Sequence, residues 1–387
     1  MRILVLSHNV PFPPDKGDKV RTHNVIRGLS SLGNDIHLVC ASRSKSDIAT
    51  IKNCSSFCSS VFGAYLNPFT SMLFALWGLL TFRSLTQAVY RRKAIKNEIR
   101  RIVSNHNIDV VLVFCSSMGQ YISELSDIPV VLDFMDIDSK KWAAFSEKSK
   151  GPKKLLYRIE AARLGREEKA LANQADKIVV VAEREKNTLL NLDSSLADII
   201  EVIPNPYVIK EETRLDSVDA MPTIVFSGQM DYLPNVDAAR FFHQEVMPLV
   251  KNHIPDAKFV IVGRNPDASL YEDCKGSFIT GTVVDVAPYL RTASIVVAPV
   301  RLAIGSQVKV LEALSYGIPV VATTSVADGF ANAVRSTIAI ADTPQELADN
   351  CIRLLGSVKE RVVRGDLGRR AAILEHSADH ISNMFCF

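Results

Sequence analysis

The sequence predicts two successive doubly wound α/β domains joined by a short linker. Three observations carry this. Short apolar runs rich in Val, Ile and Leu recur along the chain and read as strands buried on both faces. Segments of helical periodicity alternate with them, the pattern of parallel strands joined by crossover helices. The alternation stops near Asn205 and restarts at Thr223, across a stretch holding Pro204, Pro206 and a cluster of charges.

Residues 3–7 form the first predicted strand, followed by a Pro-rich loop through Asp18. A helix is expected over 19–32, with Val20, His23, Val25, Ile26 and Leu29 near helical spacing and Gly33 as its stop. Strands follow at 36–40, 110–114 and 130–133, then a charged helix from about 152 to 173 and strands at 177–182 and 200–204. The second series opens with a strand at 223–227 ending in Gly228, a helix over 237–250 and a strand at 258–262 ending in Gly263. A strand at 294–299, a helix at 307–316 closed by Gly317 and a strand at 319–322 complete it. The division predicted is 1–205, a linker at 206–221, a second domain over 222–370 and a helical tail over 371–387.

With 387 residues, 47% hydrophobic and 22% charged, the chain has too much apolar side chain for disorder and too many dispersed charges for a polytopic membrane protein. The net charge of +3 conceals an asymmetry: residues 1–200 hold 28 basic and 20 acidic side chains, the remainder 17 and 22. A basic first half suggests a polyanion or an anionic membrane surface as its partner; scatter of solvated charges is the alternative. Seven cysteines without a Cys-x-x-Cys pair indicate reduced thiols in the cytosol, and the N-terminus does not read as a signal peptide. The apolar segment 69–82 is short for a membrane span of about 20 residues. It runs into 83–101, which carries seven Lys or Arg and one Glu. That order fits either a membrane-surface element or a buried helix followed by a solvated one.

No G-x-G-x-x-G follows the first strand, and there is no P-loop, H-E-x-x-H or G-x-S-x-G. The ligand of such a fold still sits at the carboxyl ends of its strands. The stretch 298–324 is the most informative. A strand ends at Ala298-Pro299, a turn through Gly305-Ser306 follows, and a helix opens at Gln307. Amide groups at a helix start form an anion site. Lys309 in the first turn can reach a diphosphate, and Glu312, three residues on, projects on the same face toward ribose hydroxyls. An exposed i,i+3 ion pair is the plainer account of those two side chains.

This stretch resembles the donor-site motif of retaining, family 4-type glycosyltransferases of the GT-B fold. Phe226-Ser-Gly228-Gln-Met-Asp-Tyr-Leu-Pro234-Asn235, Ile261-Val-Gly263, Gly281-Thr-Val283-Val-Asp285 and Pro288-Tyr289-Leu290 fit the same family's carboxyl-terminal domain in order and spacing. Pro13-Pro14-Asp-Lys-Gly17-Asp-Lys-Val-Arg21 resembles its glycine loop. More narrowly, PFPPDKGDKVR with VVLDFMDIDSKKW is similar to sugar transferases associated with bacterial exopolysaccharide and PEP-CTERM export systems. The resemblance implies two Rossmann-like domains facing across a cleft, a UDP- or GDP-sugar donor, and a lipid-linked or glycan acceptor. It implies no metal, no further cofactor and no nucleic acid. It assigns Gly17 to the approach of the donor phosphates, Gly228, Ser306 and Gln307 to the donor site, Lys309 to the departing diphosphate, Glu312 to the ribose and the backbone around Val283 to the base. Two departures stand out. Ile304 occupies a position where the family often has a carboxylate, and Gln229 and Asn235 stand near places where many members have Arg and Lys. Arg301 is the candidate substitute cation. A catalytically silent sugar-nucleotide-binding scaffold protein is the alternative that these departures motivate.

Asp133, Asp136 and Asp138 end a predicted strand in the first half. Asp136-Ile-Asp138 formally matches a D-x-D metal motif, but that motif belongs to a single-domain fold. Asp133 and Asp136 are therefore candidate catalytic groups near the acceptor, with a turn or capping role as the alternative. His8, just past the first strand, is a further polar candidate. The resulting expectation is a cytoplasmic enzyme, peripheral on the inner face of the membrane.

Overall fold

The computed structural model describes residues 1–14, 17–125, 127–209, 221–301, 303, 307–377, 380, 381, 384 and 385. The chain forms two compact units, Met1–Pro206 with Ile381–Phe387, and Tyr207–His380.

The first unit is built on seven parallel strands: β1 (Arg2–Ser7), β2 (Asp35–Ser42), β3 (Ser60–Tyr65), β4 (Val110–Phe114), β5 (Val130–Asp133), β6 (Lys177–Val180) and β7 (Ile200–Val202), in the order β3-β2-β1-β4-β5-β6-β7. Val5 at the centre pairs with Leu38 on one side and Leu112 on the other, and all three are fully buried. Helices cover both faces, which is why these strands are continuously apolar. The strand order reverses between β1 and β4, so the loops leaving those two strands open the crevice where a doubly wound sheet takes its ligand.

The second unit repeats the plan with β8 (Thr223–Ser227), β9 (Lys258–Val262), β10 (Phe278–Ile279), β11 (Ile295–Ala298), β12 (Val320–Ala322) and β13 (Ala339–Ile340), in the order β10-β9-β8-β11-β12-β13. The reversal falls between β8 and β11. Gly228 therefore stands at the same crevice as the loop following Pro299.

The expected helix over 237–250 is three pieces: Leu233–Phe241, a π turn at Phe242–Val246, and Met247–His253. Pro248 lacks an N–H and its ring crowds the carbonyl of the preceding turn, so the helix widens there. The C-terminal stretch is shared between the units rather than a separate tail. The helix Val358–His376 buries Ala371 and Ala372 in the second core, while Ile381 and Phe385 are fully buried in the first.

The helix Pro68–Leu80 follows the apolar segment, but Gly78 is its one buried residue. A buried helix is thus excluded for this stretch. The basic helix that comes after it, Lys93–Asn105, packs inward through Ile95, Ile99 and Ile102. Among the described residues no helix is long and apolar enough to cross a membrane.

Candidate functional site

In the second unit the first turns of two helices meet. The helix Leu233–Phe241 leaves the loop after β8, and the helix Val308–Ser315 leaves the loop after β11. They touch where the Lys309 ammonium donates to Asn235 Oδ1 at 2.7 Å. Asn235 in turn donates through Nδ2 to the Gln229 carbonyl at 3.0 Å. The Lys309 Nζ lies 4.4 Å from the centroid of the ring of Phe226, the penultimate residue of β8, a cation–π contact. Burial pulls the lysine down to about 7, opposed by the field of Glu312. Neither helix start carries a side-chain cap. The starts of both helices therefore lie at this contact, together with a lysine whose charged form burial disfavours. This placement disposes of the plain i,i+3 surface pair for Lys309.

Close backbone approach sets the floor of the site. The Gly228 amide donates to the Val262 carbonyl at 2.9 Å, and Met230 N–H to the Arg264 carbonyl at 2.9 Å, knitting the loops after β8 and β9. A Cβ on Gly263 would stand 1.9 Å from the Gly228 carbonyl oxygen, so only glycine fits. A Cβ on Gly228 would meet Asn235 Nδ2 at 2.8 Å and Lys309 Nζ at 3.1 Å. Gly228→Ala should therefore displace both side chains and cost the second unit about 1–3 kcal/mol, the scale of overpacking a filled site. Calorimetry of the thermal transition checks it, and an unchanged transition would show that the two side chains give way freely.

The other expected donor residues fall as follows. Glu312 is half-buried one turn beyond Lys309, and its field, with burial, pushes the Tyr207 hydroxyl well above its usual range. Gln307 occupies the N-cap position, and its carbonyl accepts from Val310 N–H at 2.9 Å. Val283 is half-buried against the second core, next to a fully projecting Val284. Ser306 and Ile304 lie outside the described residues. Arg301 is not gathered with Lys309. It forms a bidentate pair with Asp237, at 2.7 and 3.2 Å, and stacks 4.8 Å from the Phe241 centroid. Asp237 is two residues beyond Asn235, about 200° around the helix, so the arginine and the lysine grip different faces of it. To meet a diphosphate beside Lys309, Arg301 would have to leave that carboxylate.

The first unit carries its own polar group at the ends of β1, β4 and β5. His8 Nε2 lies 3.1 Å from Asp18 Oδ2, and Asn9 bonds to both. Two non-glycine residues adopt left-handed backbone just past strands: Cys115 (φ 74°), the first residue after β4, and Met135 (φ 60°), the second after β5. Such strain collects at functional sites. Beyond them Asp138 accepts from Ser116 Oγ at 3.0 Å and is paired with Lys141. That ion pair holds the Asp138 carboxyl low and the lysine high. Asp136 is half-buried beside them, pushed up to about 6 chiefly by burial. Among the described residues no three His, Cys, Asp or Glu side chains are grouped to hold a metal ion.

Two expected residues of this unit sit elsewhere. Asp133 is fully buried, with one carboxylate oxygen accepting from Arg21 Nε at 2.8 Å and the other from Met135 N–H at 2.9 Å. It is a structural anchor rather than a group open to substrate. Arg21, the last residue of the Pro13–Arg21 motif, is its buried partner. Gly17 is the exposed first residue of the helix Gly17–Ser31.

Sequence reasoning gave no role of their own to Phe226, Gly263, Lys141 or Asp18, although all four lie inside the motifs quoted for the resemblance.

Residues 221–357 match the family described as Glycosyl transferases group 1, so the second unit carries a domain of that kind. No curated protein matches the chain in sequence. Among solved structures, the sucrose-phosphate synthase of Thermosynechococcus elongatus is similar at 15% identity and a TM-score of 0.70, over 99% of this chain and 97% of that one. The HepE protein of Anabaena, solved with UDP and glucose, is similar at 12% identity and a TM-score of 0.67, over 99% and 98%. A glycosyltransferase from Rickettsia africae gives 14% and 0.64, over 99% and 96%. These likenesses identify the GT-B fold of two Rossmann-like units.

Proposed function

We propose that the chain is a hexosyltransferase that moves a sugar from a UDP- or GDP-sugar to a lipid-linked or glycan acceptor, with retention of configuration, in exopolysaccharide or cell-surface glycan synthesis. The observation that carries the donor half is the meeting of Lys309, Asn235 and two uncapped helix starts over Gly228, inside a glycosyl transferase group 1 domain. Cleavage of the sugar–phosphate bond builds negative charge on the leaving diphosphate. An ammonium held beside two helix starts, preorganised in a partly buried site, stabilises that charge without a metal ion. HepE was solved with UDP and glucose, which supports a nucleotide sugar as the donor here. Retention, the class of sugar and the acceptor rest on the sequence resemblance. The polar group around Asp136 and Asp138 is the part of the first unit suited to hydroxyl recognition.

The test is a screen of UDP- and GDP-sugars, read as released nucleoside diphosphate with and without a polyprenyl-phosphate-linked sugar. The expected outcome is acceptor-dependent release that persists in EDTA. Strict dependence on Mn²⁺ or Mg²⁺, lost in Asp136→Ala, would overturn the metal-free mechanism. Tight UDP binding with no transfer to any acceptor would mark a silent sugar-nucleotide-binding scaffold.

A further inference from the structure

We propose that the first unit docks on an anionic lipid surface through the outer face of the helix Pro68–Leu80, lying in the plane of the membrane. The inference does not rest on the donor reading.

The helix carries no charged residue. Phe69, Met72, Leu73, Leu76 and Leu80 follow the i, i+3, i+4 spacing of a single stripe and are 49–80% exposed, with Phe82 just beyond at 79%. Side chains of that size, aligned and uncovered, exceed the scattered apolar residues of an ordinary surface. A second stripe lies alongside. Arg163, on the helix Gly151–Ala172, donates to the carbonyls of Gly78, Leu79 and Arg83 and lies 5.6 Å from the Phe82 centroid. Ile159 and Leu156 stand one and two turns before Arg163 on the same face, exposed at 36% and 38%, with Leu155 beside them at 60%.

The charges around this face identify what covers it. Arg83 and Arg91 lie 6.0 and 5.2 Å from the Trp77 centroid, and Lys153 lies 5.4 Å from that of Tyr157. Two acids of the helix Gly151–Ala172 are turned inward. Glu160 accepts from the N–H groups of Leu85 and Thr86, and Glu167 from that of Ser84. The result is an apolar face with cations at its edge, aromatic rings beside them and no outward carboxylate from these two glutamates. That is the chemistry of an interface between acyl chains and anionic headgroups. A second copy of the chain fits poorly, because a two-fold contact brings together the same cation-rimmed face from both copies. Thirteen residues of helix span about 20 Å, short of the ~30 Å hydrocarbon core, so the helix lies in the surface rather than crossing it. The charge comes from fewer residues than the basic run 83–101 suggests. Lys96 and Arg100 pair with Glu124, Arg101 pairs with Glu98, and Arg92 is tied to Ser71.

The experiment uses the full chain with vesicles of phosphatidylcholine, alone or mixed with phosphatidylglycerol. The chain should sediment at least about tenfold more strongly with the mixed vesicles and be released as salt shortens the Debye length below ~8 Å. The sequence has two tryptophans, so Trp142→Phe leaves Trp77 as the reporter, and its emission should shift to the blue on docking. Leu76→Asp with Leu80→Asp should abolish sedimentation, and Arg83→Glu with Arg91→Glu should weaken it about tenfold. The far-ultraviolet circular dichroism and the melting transition of the first unit should be unchanged in both, which reports folding and keeps this result separate from the fate of the donor reading. No sedimentation of the wild-type chain, no shift of Trp77, or equal binding to neutral vesicles would overturn the proposal. So would a concentration-dependent dimer broken by the Leu76→Asp, Leu80→Asp pair in a chain that ignores vesicles.

Discussion

Lys309→Ala is expected to lower kcat by about 10²-fold or more, the scale on which a single charge-stabilising group acts in a preorganised site. The expectation follows from where the structure puts the ammonium: half-buried over the Phe226 ring and bonded to Asn235. Burial has brought this lysine down to about 7 in the ligand-free protein. A diphosphate beside it restores the charged form, so binding takes up a proton above that pH. UDP affinity should accordingly fall by up to about tenfold for each pH unit above 7, and Lys309→Ala should flatten that slope. The effect on stability has the opposite sense. The unfolded lysine holds its proton to about 10.4, so between about 7 and 10 the unfolded chain binds more protons than the folded one. The ligand-free protein should then gain stability from this group as pH rises through that window, and lose the gain once UDP is bound. Proton uptake in buffers of different ionisation enthalpy measures the first effect, and denaturant titration across pH the second. A Lys309→Ala enzyme turning over at near wild-type rate would end the donor assignment.

The parts of this fold that the sequence made legible share one physical property. Central strands of a parallel sheet are apolar on both faces, so β1, β4, β5, β8, β9 and β11 stand out as unbroken runs. The strands that escape notice lie toward the sheet margins. β3 is half-exposed along most of its length, and β10 and β13 are two residues each, too short for any periodicity. The π turn at Phe242–Val246 had a local cause in Pro248, but its effect is a widened helix rather than a stop.

The candidate site of the second unit was legible for a related reason. Its parts are local: a strand ending at Ala298 and the first turn of a helix from Val308, both within residues 298–312. What escaped is what depends on two segments meeting. Asn235 and Lys309 are 74 residues apart, and their bond makes a partner of a position that the sequence marks only as a missing cation. Arg301 shows the reverse: the resemblance offered it as the substitute cation, while Asp237, 64 residues away, holds it elsewhere. The segment 69–82 was ambiguous because composition does not say which face of a helix is covered. Exposure of its stripe decides that point.

Asp133→Asn should destabilise the first unit by about 3–5 kcal/mol, because it leaves the Arg21 cation buried without its counter-charge. For a unit of this size that lowers its melting transition by about 6–20 °C. Arg21 is 1% exposed and Asp133 0%. Besides its bond to Asp133, the guanidinium donates to the Pro204 carbonyl at 2.9 Å and to Asn205 Oδ1 at 3.1 Å, and it lies 5.8 Å from the Phe385 centroid. One ion pair thus ties the first helix, the end of β5, the segment after β7 and the returning C-terminus into one core. Asparagine keeps the volume and can still accept from Met135 N–H, so the loss is that of the charge. Removing both charges with Arg21→Met and Asp133→Leu should recover much of the stability, since a paired charge in a core is often no better than well-packed apolar side chains. Turnover by the folded fraction of Asp133→Asn should stay near that of the wild type. The opposite result, an unchanged melting transition with transfer abolished, would return Asp133 to the chemistry and make the buried pair incidental. Calorimetry of the first unit's transition, with turnover measured well below it, separates the two outcomes.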